Sequence, residues 1–290
     1  MRLMRIGSAG RERPAVGIGE RHYVDISAYV DDFNGAFFAD PDNLERVRAV
    51  LDTLALEPQP LAGVRVGSPV ARPQQILCVG LNYADHARET GQAIPVEPII
   101  FNKAPNTLVG PNDDVQIPRR SNKTDWEVEL SLVVGKRASY VETVEAAEHH
   151  IAGYMVVNDV SEREFQLERG GQWVKGKSAP TFNPAGPYLL TSDEVPDPLN
   201  LQMWLDVDGR RMQTGSTSNM IFSPAHIVHH LSQFMTLEPG DIINTGTPPG
   251  VGMGLQPQVF LHGGERITLG IESLGTQTQR VIPPQPATTV

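Results

Sequence analysis

Thr124-Asp125-Trp126-Glu127-Val128-Glu129-Leu130-Ser131-Leu132-Val133-Val134 has the period of a β-strand, with two acids set into an otherwise apolar run. Side chains of a strand alternate faces, so residues two apart point the same way. Val128, Leu130, Leu132 and Val134 share one face and suit a core, while Glu127 and Glu129 project together from the other. Two adjacent carboxylates repel each other, and a cation between them relieves the repulsion. Hard oxygen ligands of this kind suit Mg2+, Mn2+ or Ca2+ better than zinc. The same pattern also describes a strand with one solvated face, so the choice rests on residues elsewhere.

The surrounding chain has many short strand candidates: 75–80, 98–102, 127–134, 152–158, 186–191, 201–207, 241–245 and 266–272. Gly and Pro turns separate them, and Asp208-Gly209 is a strong hairpin signal. Few helices interrupt. One is expected at 43–55, with Asp42 or Asn43 as its cap; another at 224–236 has Ser223 as cap, Pro224 in its first turn, and Ile227, Val228, Leu231, Phe234 and Met235 facing inward. Strands in such excess, without regular alternation with helices, predict an α+β, predominantly β fold rather than a doubly wound parallel sheet. Residues 1–70 read as a small N-terminal α/β domain ending in the prolyl segments at 57–73, residues 71–282 as the main domain, and 283–290 as a frayed tail.

Composition narrows the partners. The 290 residues allow an ample core, and the net charge of -10 leaves no basic face for a nucleic acid. A small anionic substrate needs only a local cationic pocket. Cys78 is the sole cysteine and lies in an apolar run, which excludes an internal disulfide and suits a reducing, cytoplasmic compartment; such a thiol behaves as a small hydrophobe more readily than as a nucleophile. No run approaches the ~20 apolar residues that span a bilayer, and the start of the chain lacks the apolar region of a signal peptide.

Further candidates follow from placement. Asp159 ends the apolar run Tyr154-Met155-Val156-Val157-Asn158, where an acid caps a turn more often than it holds a cation; in the second case it would make, with Glu127 and Glu129, a three-carboxylate magnesium site. In Asn82-Tyr83-Ala84-Asp85-His86-Ala87-Arg88-Glu89, a helical turn places His86 and Glu89 three apart on one face, where the carboxylate orients the imidazole as a general base. The alternative is a surface helix with an ordinary histidine. Arg163 and Gln166 follow Asp159 by four and seven residues, and a helix there would bring both near the metal. Lys177 sits in a segment whose cations do not fit a solvated helix, and it suits a carboxylate or an enolate. Lys103, just past a strand, is a weaker candidate. The run 244–254 is glycine-rich but lacks the Gly-Lys-Ser/Thr ending of a phosphate loop, and its prolines remove backbone donors; it reads either as a loop whose Thr hydroxyls approach a small ligand or as a structural turn.

Taken in order, Gly-Leu-Asn-Tyr-Ala-Asp-His-Ala-Arg-Glu, Asp-Trp-Glu-Val-Glu-Leu, Asn-Asp-Val-Ser-Glu-Arg, Gly-Lys-Ser and Thr-Gly-Thr-Pro-Pro-Gly-Val-Gly resemble the fumarylacetoacetate hydrolase family over about residues 74–275. The resemblance implies a mixed β-roll, a homodimer, and Mg2+ or Mn2+ held at Glu127, Glu129 and Asp159. It also implies a water-activating pair at His86 and Glu89, and oxo-acid contacts from Arg163, Gln166, Lys177 and Thr247, with Tyr83 and Lys103 as further substrate-binding candidates. Glu168-Arg169-Gly170-Gly171-Gln172-Trp173 and the N-terminal unit look most similar to bacterial 2,4-diketo-3-deoxy-L-fuconate or L-rhamnonate hydrolases, often labelled ureidoglycolate lyase. Asn102 and Pro105-Asn106 depart from the family pattern, and in a pocket they would alter specificity.

The implied reaction is hydrolysis of the C3-C4 bond of a 2,4-dioxo acid to pyruvate and a hydroxy acid. The same metal-enolate site could instead decarboxylate oxaloacetate or isomerise an unsaturated oxo acid. A catalytically silent oxo-acid-binding protein is a reading of a different class.

Overall fold

The computed structural model describes residues 1–89 and 91–286; part of the expected tail, 287–290, lies outside them. The decisive stretch forms the strand Val128–Val134 at the centre of an eleven-stranded mixed sheet. It pairs antiparallel with Ile151–Asn158 on one side and with Ile242–Asn244 on the other. Beyond Ile242–Asn244 the sheet continues through Ile76–Gly80, parallel, and ends at Ile99–Lys103. A second, five-stranded sheet contains the hairpin Gln202–Val207 and Arg210–Ser216, turned at Asp208-Gly209, with Arg266–Ile271 and Gly275–Ile282 beside it. The fold is thus α+β and mostly β.

Both faces of Val128–Val134 are buried, which removes the solvated-face reading of the acids. Val128, Leu130, Leu132 and Val134 enter a core with Met203, Leu205, Leu269 and Ile227. Val133 enters a second core with Phe33, Phe37, Phe38 and Ile242. Each such side chain contributes about 1.5–3 kcal/mol by leaving water, so the strand that holds the acids is firmly anchored.

The strands Arg2–Ile6, Arg13–Ile18 and His22–Asp25 extend the large sheet, joined to it where Arg2–Ile6 pairs with Leu189–Thr191. The helix Asn43–Thr53 has Asp42 as its cap, without a side-chain cap bond. The helix Pro224–Ser232 starts as expected: the Ser223 hydroxyl accepts the amide of His226, and Pro224 opens the first turn. It stops earlier than expected, and this corrects the inward placement of Phe234, which is 67% exposed because the chain has left the helix by then.

Candidate active site

Three carboxylates meet where the start of Val128–Val134 lies beside the end of Ile151–Asn158. The amide of Asp159 donates to the carbonyl of Glu127 at 2.9 Å, and the Asn158 side chain accepts the amide of Glu127 at 3.1 Å. One carboxylate oxygen each from Glu127, Glu129 and Asp159 then falls within 4.8 Å of the others, all three residues being buried. Asp159 therefore does more than cap a turn.

Cations surround this cluster. The Lys177 ammonium lies 2.8 Å from Glu127 Oε2 and 3.0 Å from Asp159 Oδ2. It reaches them from the short helix Val174–Lys177, which packs so closely on the π-helical turn Glu164–Glu168 that a Cβ on Gly176 would sit 2.5 Å from Gln166 Cβ. Lys103, 1% exposed, donates to the other oxygen of Asp159 and to the carbonyl of Val160. Arg163 Nη1 donates to Gln166 Oε1 at 3.1 Å, and Nη2 lies 2.7 Å from Glu127 Oε1 as an ion pair without hydrogen-bond geometry.

The electrostatics fit a divalent cation. Burial alone would raise the Glu127 carboxyl, but Lys177 and Arg163 overcome it and hold the group well below the usual carboxylate range. Glu129 goes the other way: burial, then the charges of Asp159 and Glu127, push its carboxyl well above that range. Among the described residues its hydrogen-bond partner is the Gly246 amide, on Oε2 at 2.7 Å. The buried group holds four carboxylates, counting Asp125, against Lys103, Arg163 and Lys177. With all four ionised, as metal ligation would require of Glu129, the group would carry one negative charge, and a hard divalent ion at Glu127, Glu129 and Asp159 would convert it to a positive one that suits an anionic ligand.

Glu127, Glu129, Arg163, Gln166 and Lys177 line a cavity of about 770 Å³, a volume typical of small-molecule sites, while Asp159, Asp125 and Lys103 lie outside the lining. His86 and Glu89 line the same cavity from the helix Ala84–Glu89, with His86 Nδ1 3.1 Å from Glu89 Oε2. Glu89 is also held by the Gly250 amide, at 3.0 Å and 3.2 Å from its two oxygens. Phe101 and Trp173 supply an aromatic wall, their centroids 5.2 Å apart, and Lys177 Nζ lies 5.0 Å from the centre of the Phe101 ring. Exposed Gln92, Gln256 and Gln258 line the mouth.

The structure thus brings together His86, Glu89, Glu127, Glu129, Arg163, Gln166, Lys177 and Thr247 around one cavity. Two expected substrate contacts lie outside the lining. The Tyr83 hydroxyl is buried against Met203 Sδ at 3.1 Å, and Lys103 is consumed by Asp159. Thr247 lines the cavity, but its hydroxyl donates to the Val128 carbonyl at 2.9 Å and accepts from Gln213 at 2.8 Å, so it has no proton to give a carboxylate. Asn102 is outside the lining too, so that departure from the family pattern does not reach the ligand. Burial pushes the Cys78 thiol up, which makes it inert.

One residue escaped the sequence reading. Asp125, fully buried, accepts the amides of Trp126 at 2.8 Å and Gly252 at 2.7 Å on Oδ1, and the Met253 amide at 3.0 Å and Arg163 Nε at 2.8 Å on Oδ2. The signal was present, since Asp125 stands two before Glu127 and so shares the parity of the two glutamates.

Residues 75–282 match the family profile described as fumarylacetoacetate (FAA) hydrolase C-terminal. A protein of Burkholderia cenocepacia (strain HI2424), whose provisional name is simply hydrolase, is 50% identical over 285 residues, covering 97% of this chain and 98% of its own. Among solved structures, the 2-hydroxyhepta-2,4-diene-1,7-dioate isomerase of Mycobacterium marinum superposes with a TM-score of 0.78 at 32% identity, covering 99% of this chain and 100% of that one. The maleylpyruvate hydrolase of Sphingobium sp. SYK-6, in complex with manganese (II) ion and pyruvate, does so with a TM-score of 0.76 at 30% identity, covering 98% and 100%.

Proposed function

The chain belongs to the fumarylacetoacetate hydrolase family, and from that premise we propose that it is a divalent-metal-dependent hydrolase cleaving the C3-C4 bond of a 2,4-dioxo acid. One observation supports this reading above others. A single cavity is lined by Glu127 and Glu129 of the acid cluster, by Lys177 and Arg163, and by the His86–Glu89 pair. Mg2+ or Mn2+ at Glu127, Glu129 and Asp159 would polarise the oxo-acid end of the substrate and offset charge that builds there.

The chain's own groups account for the remaining work. Arg163, with the amide of Gln166, grips the substrate carboxylate; Gln166 turns its carbonyl oxygen to Arg163, which leaves its N–H donors for the ligand. Glu89 draws the ring proton of His86 to Nδ1 and makes Nε2 the basic nitrogen. His86 takes a proton from water, and the hydroxide adds to C4. When the C4 carbonyl reforms, the C3-C4 bond breaks and its electron pair spreads from C3 onto the C2 oxygen. Lys177 faces that developing charge as a fixed cation rather than as an acid: burial alone would lower it, but Asp159 and Glu127 raise its pKa above the ordinary lysine value. The imidazolium returns its proton to C3, giving pyruvate and a carboxylic acid.

The remainder of the substrate is read as an uncharged, hydroxylated chain, as in a 2,4-diketo-3-deoxy sugar acid. The cavity mouth supports this, with three glutamines to bond hydroxyls and no lysine or arginine among the described lining residues beyond Arg163 and Lys177. The family reading carries with it a homodimer in a cytoplasmic setting, in keeping with the buried, reduced Cys78; sedimentation tests the first.

A second reading, isomerisation of an unsaturated oxo acid, is favoured by the likeness to the Mycobacterium marinum isomerase. It uses His86 to move a proton without attacking water. Incubating the protein and Mg2+ with hydroxylated 2,4-dioxo acids separates the two: one pyruvate per substrate consumed is expected, whereas loss of substrate without pyruvate would shift the assignment to isomerase.

A further inference from the structure

Asp125 has no place in the chemistry above, yet it accepts four hydrogen bonds beside the cavity. Its four acceptances leave no oxygen for a metal or a proton, and it does not line the cavity. Its partners lie on two separate parts of the wall. One is Arg163, which holds the acid end of the ligand. The other is the short turn Gly252–Gly254, of which Met253 and Gly254, with Leu255 just after them, line the cavity. The turn approaches so closely that a Cβ on Gly252 would lie 2.8 Å from Asp125 Oδ1 and 1.9 Å from the Val259 carbonyl oxygen.

We propose that Asp125 is a positioning residue that fixes the Arg163 guanidinium and the Gly252–Gly254 turn to one another, so that the carboxylate grip and the adjoining part of the wall are set as one unit. Nε of Arg163 is committed to Asp125, and this aims the Nη edge, including the Nη2 that lacks a hydrogen bond, toward Glu127 and the cavity. The same loop is fastened a second time by Glu89 through the Gly250 amide, so the base pair and the carboxylate grip are referred to a common piece of backbone. The proposal rests on Arg163 as the carboxylate grip.

The test is calorimetry with Mn2+ alone and then with pyruvate on the Mn2+-loaded protein. Asp125→Asn turns an N–H toward donors and drops the charge, so the pyruvate Kd should rise about tenfold or more. The Mn2+ Kd should stay within about threefold, since Asp125 is not a ligand. In an Arg163→Met background the same change should add less than about twofold, because its effect passes through Arg163. Should Asp125→Asn not fold, Asp125→Ser, which shortens the acceptor away from Arg163 Nε, takes its place in both backgrounds with the same expectation. Penalties that simply add, or an unchanged pyruvate Kd in Asp125→Asn or Asp125→Ser while Arg163→Met binds weakly, would overturn this proposal alone. Wild-type affinity in Arg163→Met would remove the carboxylate grip as well.

Discussion

Replacing Lys177 by methionine isolates the charge that the site needs when no metal is bound. The ammonium, 1% exposed, serves as shared counter-ion to Glu127 and Asp159 at 2.8 Å and 3.0 Å. Methionine nearly keeps the length of the side chain and leaves Glu127 Oε2 and Asp159 Oδ2 without their shared cation, with Arg163 and Lys103 on the other oxygens. Removing one partner of a buried ion pair costs about 3–5 kcal/mol, because the desolvated charge remains. At roughly 2–4 °C per kcal/mol for a chain of this size, melting in chelator should fall by about 6–20 °C. Saturating Mg2+ should restore much of this, since ion at about 100 times its Kd contributes about 2.7 kcal/mol. The ammonium competes with the ion for Glu127 and Asp159, so without it Mg2+ should bind more tightly and, at one fixed concentration, shift the melt more in the variant than in the wild type. Turnover should still drop about 10²- to 10³-fold with metal bound, the usual cost of losing one oxyanion stabiliser. Thermal melts with chelator and with Mg2+, beside a pyruvate assay, measure all three, with the surface change Lys175→Met as control. A variant that melts with the wild type in chelator, or gains no more from Mg2+, would refute the counter-ion argument.

His86→Ala and Glu89→Gln should each lower kcat on a 2,4-dioxo acid by about 10²- to 10⁴-fold while calorimetry finds Mg2+ and pyruvate affinities unchanged. Metal affinity should rise with pH: the metal-free Glu129 carboxyl keeps its proton above the ordinary value of 4.5, so binding must expel it until pH exceeds the raised pKa. The same group makes metal-free stability fall as pH rises above 4.5, because the folded state then holds the extra proton; chelator melts across pH should show the decline and Mg2+ should suppress it. A distal carboxylate would meet Glu89 and three glutamines at the mouth but no added cation, so paired substrates should show lower kcat/KM for the dicarboxylate, and Gln258→Arg should narrow the gap.

The strands that build the site were legible because their buried faces are apolar. Val128–Val134, Ile151–Asn158 and Ile76–Gly80 all lie within a residue of their expected positions. Gly275–Ile282 was missed because its buried positions include Gln277 and Gln279, whose amides are satisfied by the carbonyls of Val156 and Pro111; alternation hides when polar side chains occupy the inner face. Arg2–Ile6 and Arg13–Ile18 were missed for a related reason, as an arginine, proline or glycine interrupts each of their faces. The three acids could be read from strand parity and a strand end. The tasks of Lys103, Thr247 and Asp125 could not, because each depends on a partner far away in the chain: Asp159, Gln213 and the Gly252–Gly254 turn.

The account stands most directly on where the oxygen of water goes. The protein is loaded with Mg2+ and given a hydroxylated 2,4-dioxo acid in H2 18O, and the products are resolved by mass. The account predicts one pyruvate per turnover and a single 18O in the carboxyl group of the other product. An isomer of the starting acid that retains its C3-C4 bond and no label in a new carboxyl group would contradict it.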